Sequence, residues 1–500
     1  MEGYFISAMK KILIFIILIF VSVLCWSQQP GFKKLYRGDI TGASFVDILW
    51  DGEKLITAGQ FLTDTAPNNA LNGLLYMEMD TNGNTLFTDI YFHPNEAVTP
   101  DINNSIAKST DGKVYSMSQI LYDTSVLLTI YQNSVRLNSK VIPVYGLNCW
   151  LYHYIELDSN ILLTGMVQNH QYRTEGILLK SDKTGNEIWQ KNYGHSGIDC
   201  GISEPFILDV NTIIIPGLKR YWPTSGPIIN KWTKSWVIAV DSIGNIKWEW
   251  ESEKNVESGI ATRIQHLPNG NWLYATTEFT PMPGQIDDFG TRPKLICRDS
   301  SFNLVWEKYL SDFDSKTNYI VDITPTSDGN FLVVGRWNWY TTTTIHKFSP
   351  DGNSIWSYHD DCEPFLNCDN LLGGVVEIPS GSIFAAGYTE NYATNFASGL
   401  LIKLDKNGCM DTLCSGMTGT HETNLASKIK VYPNPTYDII NISNPIGTQI
   451  DLFDITGRKV SNTPVTGDNQ IIDIRTFPRG VYLLKMQEKT LHVTYKIIKQ

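Results

Sequence analysis

Short apolar runs broken by Gly, Asn and Asp recur along the chain from residue 40 to residue 410. One unit is an apolar run that follows a turn-forming pair and ends in Gly. It reads DGEKLITAG (Asp51–Gly59), DSNILLTG (Asp158–Gly165), DVNTIIIPG (Asp209–Gly217), NGNWLYAT (Asn269–Thr276), DGNFLVVG (Asp328–Gly335) and SGSIFAAG (Ser380–Gly387), with DGKVYSMS (Asp111–Ser118) a worn copy. A second unit follows each. ILLKSDKTGNEIW (Ile177–Trp189), VIAVDSIGNIKW (Val237–Trp248), LICRDSSFNLVW (Leu295–Trp306) and IHKFSPDGNSIW (Ile345–Trp356) are its fullest copies. LLYMEMDTNGNTLF (Leu74–Phe87) and LIKLDKNGC (Leu401–Cys409) frame them, and Leu127–Val135 is degenerate. The runs are too short for helices and are punctuated by residues that accept positive φ, so each pair of units predicts four short strands, A to D.

Seven such pairs, spaced by about 50–60 residues, predict an all-β chain whose residues 28–414 form a seven-bladed β-propeller rather than a solenoid. The D-x-x-G-N-x-x-W pattern resembles the outer-membrane quinoprotein-like and delta-60 propeller repeats. In this chain it is turn chemistry plus packing and implies no quinone site. The last copy stops at Gly408-Cys409 without a fourth strand, whereas GFKKLYRG (Gly31–Gly38) has the pattern of IWQKNYG (Ile188–Gly194). Residues 32–38 are therefore expected to supply the missing strand and remove an open edge.

The two ends of the chain read differently. Lys10 and Lys11 precede a thirteen-residue run, Ile12–Leu24, apolar but for Ser22, the charge and length of a signal peptide ending near residue 27. From residue 428 the apolar runs alternate and are bounded by Pro, Asn or Gly, which predicts a small antiparallel, Ig-like sandwich. Four motifs lie there in order: Tyr432-Pro433-Asn434-Pro435, then Asp454 to Gly457-Arg458, then Gly480 through Tyr482 to Lys485, then Tyr495–Lys499. Together they resemble the type A C-terminal sorting domain of the Bacteroidetes type IX secretion system. The resemblance implies export through the periplasm to the outer cell surface or the medium, with the secretion machinery and its sortase-like peptidase as partners. It also implies removal of the tail within residues 415–427, a small polar linker. Asp64-Thr65-Ala66, Asp241-Ser242-Ile243 and Asp411-Thr412-Leu413 resemble the O-glycosylation acceptors of that phylum.

Charge changes what the middle region can bind. Residues 425–500 carry 10 Lys and Arg against 6 Asp and Glu and residues 1–27 are net +1, so a total of −11 leaves about −16 between them. That acidity argues against nucleic acid and anionic membrane as partners, and beyond the leader no segment is long and apolar enough to span a bilayer. The cysteines suit an oxidising compartment, with Cys409–Cys414, Cys362–Cys368 and Cys149–Cys200 as candidate pairs and Cys297 left as a buried thiol.

Antiparallel geometry puts the A–B and C–D turns at one end of each sheet and the B–C and D–A connections at the other. The B–C connections are long and aromatic, carrying Tyr221, Trp222, Trp232, Phe289, Trp337, Trp339, Tyr340 and Tyr392, with Arg220, Arg292 and Arg336 among them. Large rings on segments that hold no core point to binding of a glycan or protein, or to a plug over the mouth of the ring. No HExxH, GxSxG, P-loop or CxxC is present, and neither a catalytic residue, a metal nor a cofactor is expected. The alternative is a secreted hydrolase of polysaccharide or peptide using Asp287, Asp288, Asp360 and Asp361.

Overall fold

The computed structural model describes residues 31–36, 42–62, 72–94, 96–100, 105–120, 125–157, 159–221, 232–253, 263–281, 289–310, 318–337, 342–361, 368–391, 396–410, 429–443, 445, 449–455, 457–467, 469–488 and 491–500. The expected signal peptide and linker lie outside them. The described residues contain strands and turns and no helix. They fall into two compact units divided near residue 417.

The first unit consists of antiparallel meanders. Sheet I runs Gly42–Trp50, Leu55–Leu62, Asn72–Met79 and Thr85–Tyr91. Sheet II has a split first strand (Val98–Thr99, Ile106–Lys108), then Val114–Ile120, Ser125–Gln132 and Val135–Pro143. Sheet III is Asn148–Leu157, Asn160–Gln168, Thr174–Asp182 and Glu187–Tyr193. Sheet IV again splits its first strand (Ile198–Ile202, Phe206–Asp209) and continues with Thr212–Tyr221, Trp232–Val240 and Ile246–Glu251. Sheet V is Ile264–His266, Trp272–Pro281, Phe289–Arg298 and Leu304–Tyr309; sheet VI is Tyr319–Pro325, Phe331–Trp337, Thr342–Phe348 and Ser354–Asp361. Sheet VII has Cys368–Glu377, Ile383–Asn391 and Phe396–Leu404, and its fourth strand is the N-terminal Phe32–Tyr36, paired Phe32 to Lys403 through Tyr36 to Gly399; a parallel pair, Gly42 with Ala397, joins sheets VII and I into one eight-stranded sheet.

Apolar side chains alternate between the two faces of each B and C strand, so every sheet packs on both neighbours. Ile161, Leu163, Ile177 and Leu179 of sheet III face sheet II, while Leu162 and Leu178 between them face Ile213, Ile215 and Trp236 of sheet IV. The same arrangement repeats along the chain, and the last cluster joins Phe384, Ala386 and Leu401 of sheet VII to Phe45, Leu55 and Met77 of sheet I. Strands buried on both faces read as continuous apolar runs, which is why LITAG, ILLTG and FLVVG stand out in the sequence.

The Gly that ends the apolar run lies inside strand B of sheets I, III, IV, VI and VII, and its presence has a specific cause. Strand A carries an irregularity at Phe45/Asp47, Leu151/His153, Ile320/Asp322 and Leu372/Gly374. A bulge pushes its backbone toward strand B. A Cβ on Gly59, Gly165, Gly217 or Gly387 would lie 1.7, 1.9, 2.2 or 1.8 Å from a strand-A carbonyl oxygen.

The D-x-x-G-N turns tie neighbouring sheets together. Asp182 Oδ1 accepts the amides of Thr184 (2.8 Å) and Asn186 (2.9 Å), and Asp241 and Asp299 do the same in their turns. The Gly takes positive φ, for example 79° at Gly244. The D-strand Trp of the preceding sheet then covers that Gly. A Cβ on Gly244, Gly352 or Gly408 would approach Trp189, Trp306 or Trp356 to 3.1, 2.7 or 2.5 Å. Two residues beyond the Trp, Lys191 and Lys308 donate to Asn245 (2.6 Å) and Asn353 (2.8 Å) of the next turn. The N-terminal strand repeats this staple on sheet I: Lys34 donates to Asn84 (3.3 Å), and Tyr36 donates to the Gly83 carbonyl (2.5 Å).

The second unit packs two antiparallel sheets over one core. The first is Lys430–Tyr432, Ile439–Ser443 and Asn469–Asp473; the second is Lys459–Pro464, Gln449–Asp454, Gly480–Glu488 and Leu491–Lys499. Ile440, Ile442 and Ile472 meet Ile450, Leu452, Leu484 and Ile497 between them.

Candidate ligand-binding face

The four aromatic positions within strands all lie at the B–C end. Tyr221 ends strand B of sheet IV and pairs with Trp232; Phe289 opens strand C of sheet V; Trp337 ends strand B of sheet VI. Trp222, Trp339, Tyr340 and Tyr392 lie outside the described residues, as do the side chains of Trp232, Phe289 and Trp337.

Cross-strand register assembles something at this end that single positions did not reveal. In sheet IV, Lys234 sits 5.6 Å from the Tyr221 ring centroid, the Tyr221 hydroxyl donates to Glu251 (3.0 Å), and Lys234 bonds the same carboxylate (2.7 Å). In sheet V, Arg292 lies 3.5 Å from the Tyr309 centroid, and the Tyr309 hydroxyl donates to Glu278 (2.6 Å). In sheet VI, Arg336 lies 5.8 Å from the Tyr319 centroid and pairs with Asp369 of sheet VII (3.4 Å). Three successive sheets thus present a tyrosine with a cation against its ring; at Tyr221 and Tyr309 the hydroxyl also bonds a carboxylate, and at Tyr319 the carboxylate pairs with the cation. Tyr309 retains 38% exposure.

Buried lysines brace two of these groups. Lys219 lies 4.8 Å over the Trp236 ring, between Glu249 (3.2 Å) and Glu251 (3.3 Å). Lys294, fully buried, lies between Glu307 (3.1 Å) and Glu278 (3.6 Å). A buried ammonium requires such pairing. Burial alone would raise the Glu251 carboxyl, but hydrogen bonds from Lys234, Tyr221 and Lys219 outweigh it and hold it at about 2. Burial, with the bond to Glu278, pushes the Tyr309 hydroxyl up to about 12. Both tyrosines stay neutral donors, and their rings are held in place.

Between the two ends, three of the bulged first strands place a polar residue at the bulge and the fourth places a Gly. Asp47, His153, Asp322 and Gly374 each pair with the residue just before a strand-B Gly. Arg263 bonds Glu204 (2.6 Å) and Thr324 (3.1 Å), with Asp322 at 3.9 Å. Asp47 accepts the amides of Ile48 (2.7 Å) and Ile106 (3.0 Å), and a Cβ on Gly374 would sit 2.8 Å from its carboxylate. Burial, reinforced by the Asp322 charge, pushes Asp47 up to about 8. Burial, with Arg263 nearby, holds His153 down at about 3, neutral at physiological pH.

Of the carboxylates offered for hydrolysis, Asp360 is already committed: it accepts from Lys33 (2.7 Å), Asn370 (3.0 Å) and Tyr358 (3.3 Å). Asp287, Asp288 and the side chain of Asp361 lie outside the described residues.

The expected Cys149–Cys200 and Cys409–Cys414 pairs are corrected. Cys149, Cys200, Cys297 and Cys409 are all buried thiols. Cys149 packs between sheets II and III and Cys200 between sheets III and IV, so a whole sheet separates them. Cys409 fills the fifth place of a D-x-x-G turn, its amide on Asp405 (2.8 Å). Cys368 is disulfide-bonded; Cys362 and Cys414 lie outside the described residues.

In the tail, Asp454 accepts the Arg458 amide (3.1 Å) and Gly457 takes φ 81°, the same turn as in the repeats. Tyr482 is buried and donates to the Pro478 carbonyl (2.7 Å), while Lys485 pairs across to Asp451 in register. The family model of the secretion system C-terminal sorting domain matches residues 430–500. The tail is a sorting domain. It takes the protein to the cell surface or the medium by the type IX route and implies contact with that machinery. Among the described residues no helix is long and apolar enough to cross a membrane.

No curated protein matches the chain. Solved structures similar to it include the α-L-arabinofuranosidase Arb93A of Fusarium graminearum, at 11% identity over 62% of this chain and 94% of that one, TM-score 0.43. Polysaccharide lyase Uly1 is similar at 8% identity over 72% and 90%, TM-score 0.45, and an ulvan lyase at 10% over 76% and 96%, TM-score 0.45. Likeness at this level carries no inference about chemistry.

Proposed function

We propose that the exported protein is a seven-bladed β-propeller, followed by an Ig-like sorting domain, that binds an extracellular glycan or protein without catalysis through its B–C face. The observation that carries this reading is the run of three tyrosines, Tyr221, Tyr309 and Tyr319, each with a cation against its ring at the same end of sheets IV, V and VI. Fixed rings with polar neighbours stack on sugar faces or anchor a protein partner at low entropic cost. The aromatic residues expected at this end, Trp222, Trp232, Phe289, Trp337, Trp339, Tyr340 and Tyr392, extend the same surface. The buried cluster joining sheet VII to sheet I supports ring closure, and so do the Lys33–Asp360 ion pair and the Lys34 and Tyr36 staples. Residues 1–27 act as the leader and residues 415–427 as the linker, where a sortase-like peptidase separates the tail. A local Cys362–Cys368 bridge belongs to the same reading.

The test is an array of glycans and peptides probed with the intact protein, each hit then incubated and assayed for product. Retention of a ligand unchanged is the expected result. Product formation would overturn the reading and install the secreted hydrolase, with Asp287, Asp288 and Asp361 as the carboxylates to substitute.

A further inference from the structure

The C-terminal strand, Leu491–Lys499, lies at the edge of its sheet, paired on one side with Gly480–Glu488. Its other side meets the Tyr432–Pro435 box. Thr436 forms a parallel bridge to Lys499: the Thr436 amide donates to the Ile498 carbonyl (2.9 Å), and the Gln500 amide donates to the Thr436 carbonyl (2.9 Å). A parallel ladder repeats every two residues. At the next rung, residue 434 would have to donate to the carbonyl of residue 496 and accept from the amide of residue 498. The Asn434 side chain makes both bonds instead: Nδ2 donates to the Lys496 carbonyl (2.7 Å) and Oδ1 accepts the Ile498 amide (2.9 Å).

The flanking residues explain why a side chain is used. Pro433 and Pro435 fix φ on either side of Asn434, so the backbone there departs from the regular ladder and the side chain takes the two bonds. A primary amide carries the same donor and acceptor as a peptide group. Aspartate would lack the donor, serine would be too short to present both, and glutamine would overshoot by a methylene. The Asn of the box therefore has a job that no other residue type does equally well.

We infer that Asn434 is a positioning residue for export: its amide stands in for a missing rung, covers the free edge of the C-terminal strand and holds that strand in the form the secretion machinery receives. An uncovered edge strand frays and pairs with other chains. The inference rests on the sorting-domain match and is independent of what the propeller binds.

The test uses the full chain with Asn434→Ala and Asn434→Asp, read by hydrogen exchange on purified protein and by the exported fraction in a type IX-competent host. Expected for Asn434→Ala is exchange at Ile498 and Gln500 roughly 10–30-fold faster, the effect of losing two hydrogen bonds, with Ile442 and Leu484 still protected and export reduced. Asn434→Asp keeps only an acceptor for Ile498 and should fall between Ala and wild type in both readouts. Loss of export with unchanged exchange would overturn the inference, since Asn434 would then be read directly by the machinery. Unchanged export in both variants would overturn it too. If Asn434→Ala unfolds the whole tail, Asn434→Asp decides: exchange at Ile498 equal to wild type contradicts the inference, and intermediate exchange with intermediate export upholds it.

Discussion

Single residues in the first strands give the first unit a definite pH response. The buried Asp47 carboxyl, raised to about 8, binds a proton more readily folded than unfolded, so its contribution to stability is complete below about pH 4 and is lost as pH rises toward 8. His153, held at about 3, behaves oppositely: folding excludes its proton, and stability is lost as pH falls below about 6.5. Between these limits the two slopes oppose each other, each up to about 1.4 kcal/mol per pH unit. Asn in place of Asp47 should therefore unmask a loss of stability on acidification from pH 6.5 to 4. Gln in place of His153 should unmask a loss as pH rises from 4 to 8. Urea denaturation followed by tryptophan fluorescence checks both, because residues 428–500 contain no tryptophan and the signal reports the upstream unit alone. Parallel wild-type and variant curves would contradict the assignment.

At the scale of strands and turns, the repeated Gly answers a steric demand of the neighbouring strand and not a turn. Gly165→Ala should cost at least about 2 kcal/mol, because its Cβ would meet the Trp150 carbonyl at 1.9 Å in a site that cannot open. Chemical denaturation measures this, and a cost below about 0.5 kcal/mol would show that the bulge yields. This is also where the sequence was most and least legible. The runs ending in Gly, the D-x-x-G-N turns and the strand-like Phe32–Tyr36 were visible because their spacing repeats. The bulge residues were not: VDI, YHY and VDI each place one polar residue inside an apolar run, a pattern periodicity cannot distinguish from an ordinary strand. The tyrosine groups were hidden for another reason. Tyr221, Lys234 and Glu251 meet only through cross-strand register, which the intervening connections obscure. The Cys149–Cys200 pair failed because equivalent positions in successive sheets face different clusters.

For the molecule as a whole, the last strand to find its partner is the first one made. Phe32–Tyr36 pairs with residues more than 360 positions later, so closure waits for sheet VII. Deleting residues 31–38 should lower the midpoint of unfolding measurably and expose the edge of Phe396–Leu404, and a peptide of those residues added in trans should restore it; an unchanged midpoint would contradict closure by this strand. Such a frame is stapled at its turn end by Trp, Lys and Asn, and the proposed binding face lies at the opposite end. The most direct measurement is the affinity of the array-identified ligand for intact protein and for a Tyr221→Ala/Tyr309→Ala/Tyr319→Ala variant whose melting is unchanged. A weakening of at least about 30-fold is expected if these rings are the anchors. Equal affinity would place binding elsewhere and contradict the assignment of the B–C face.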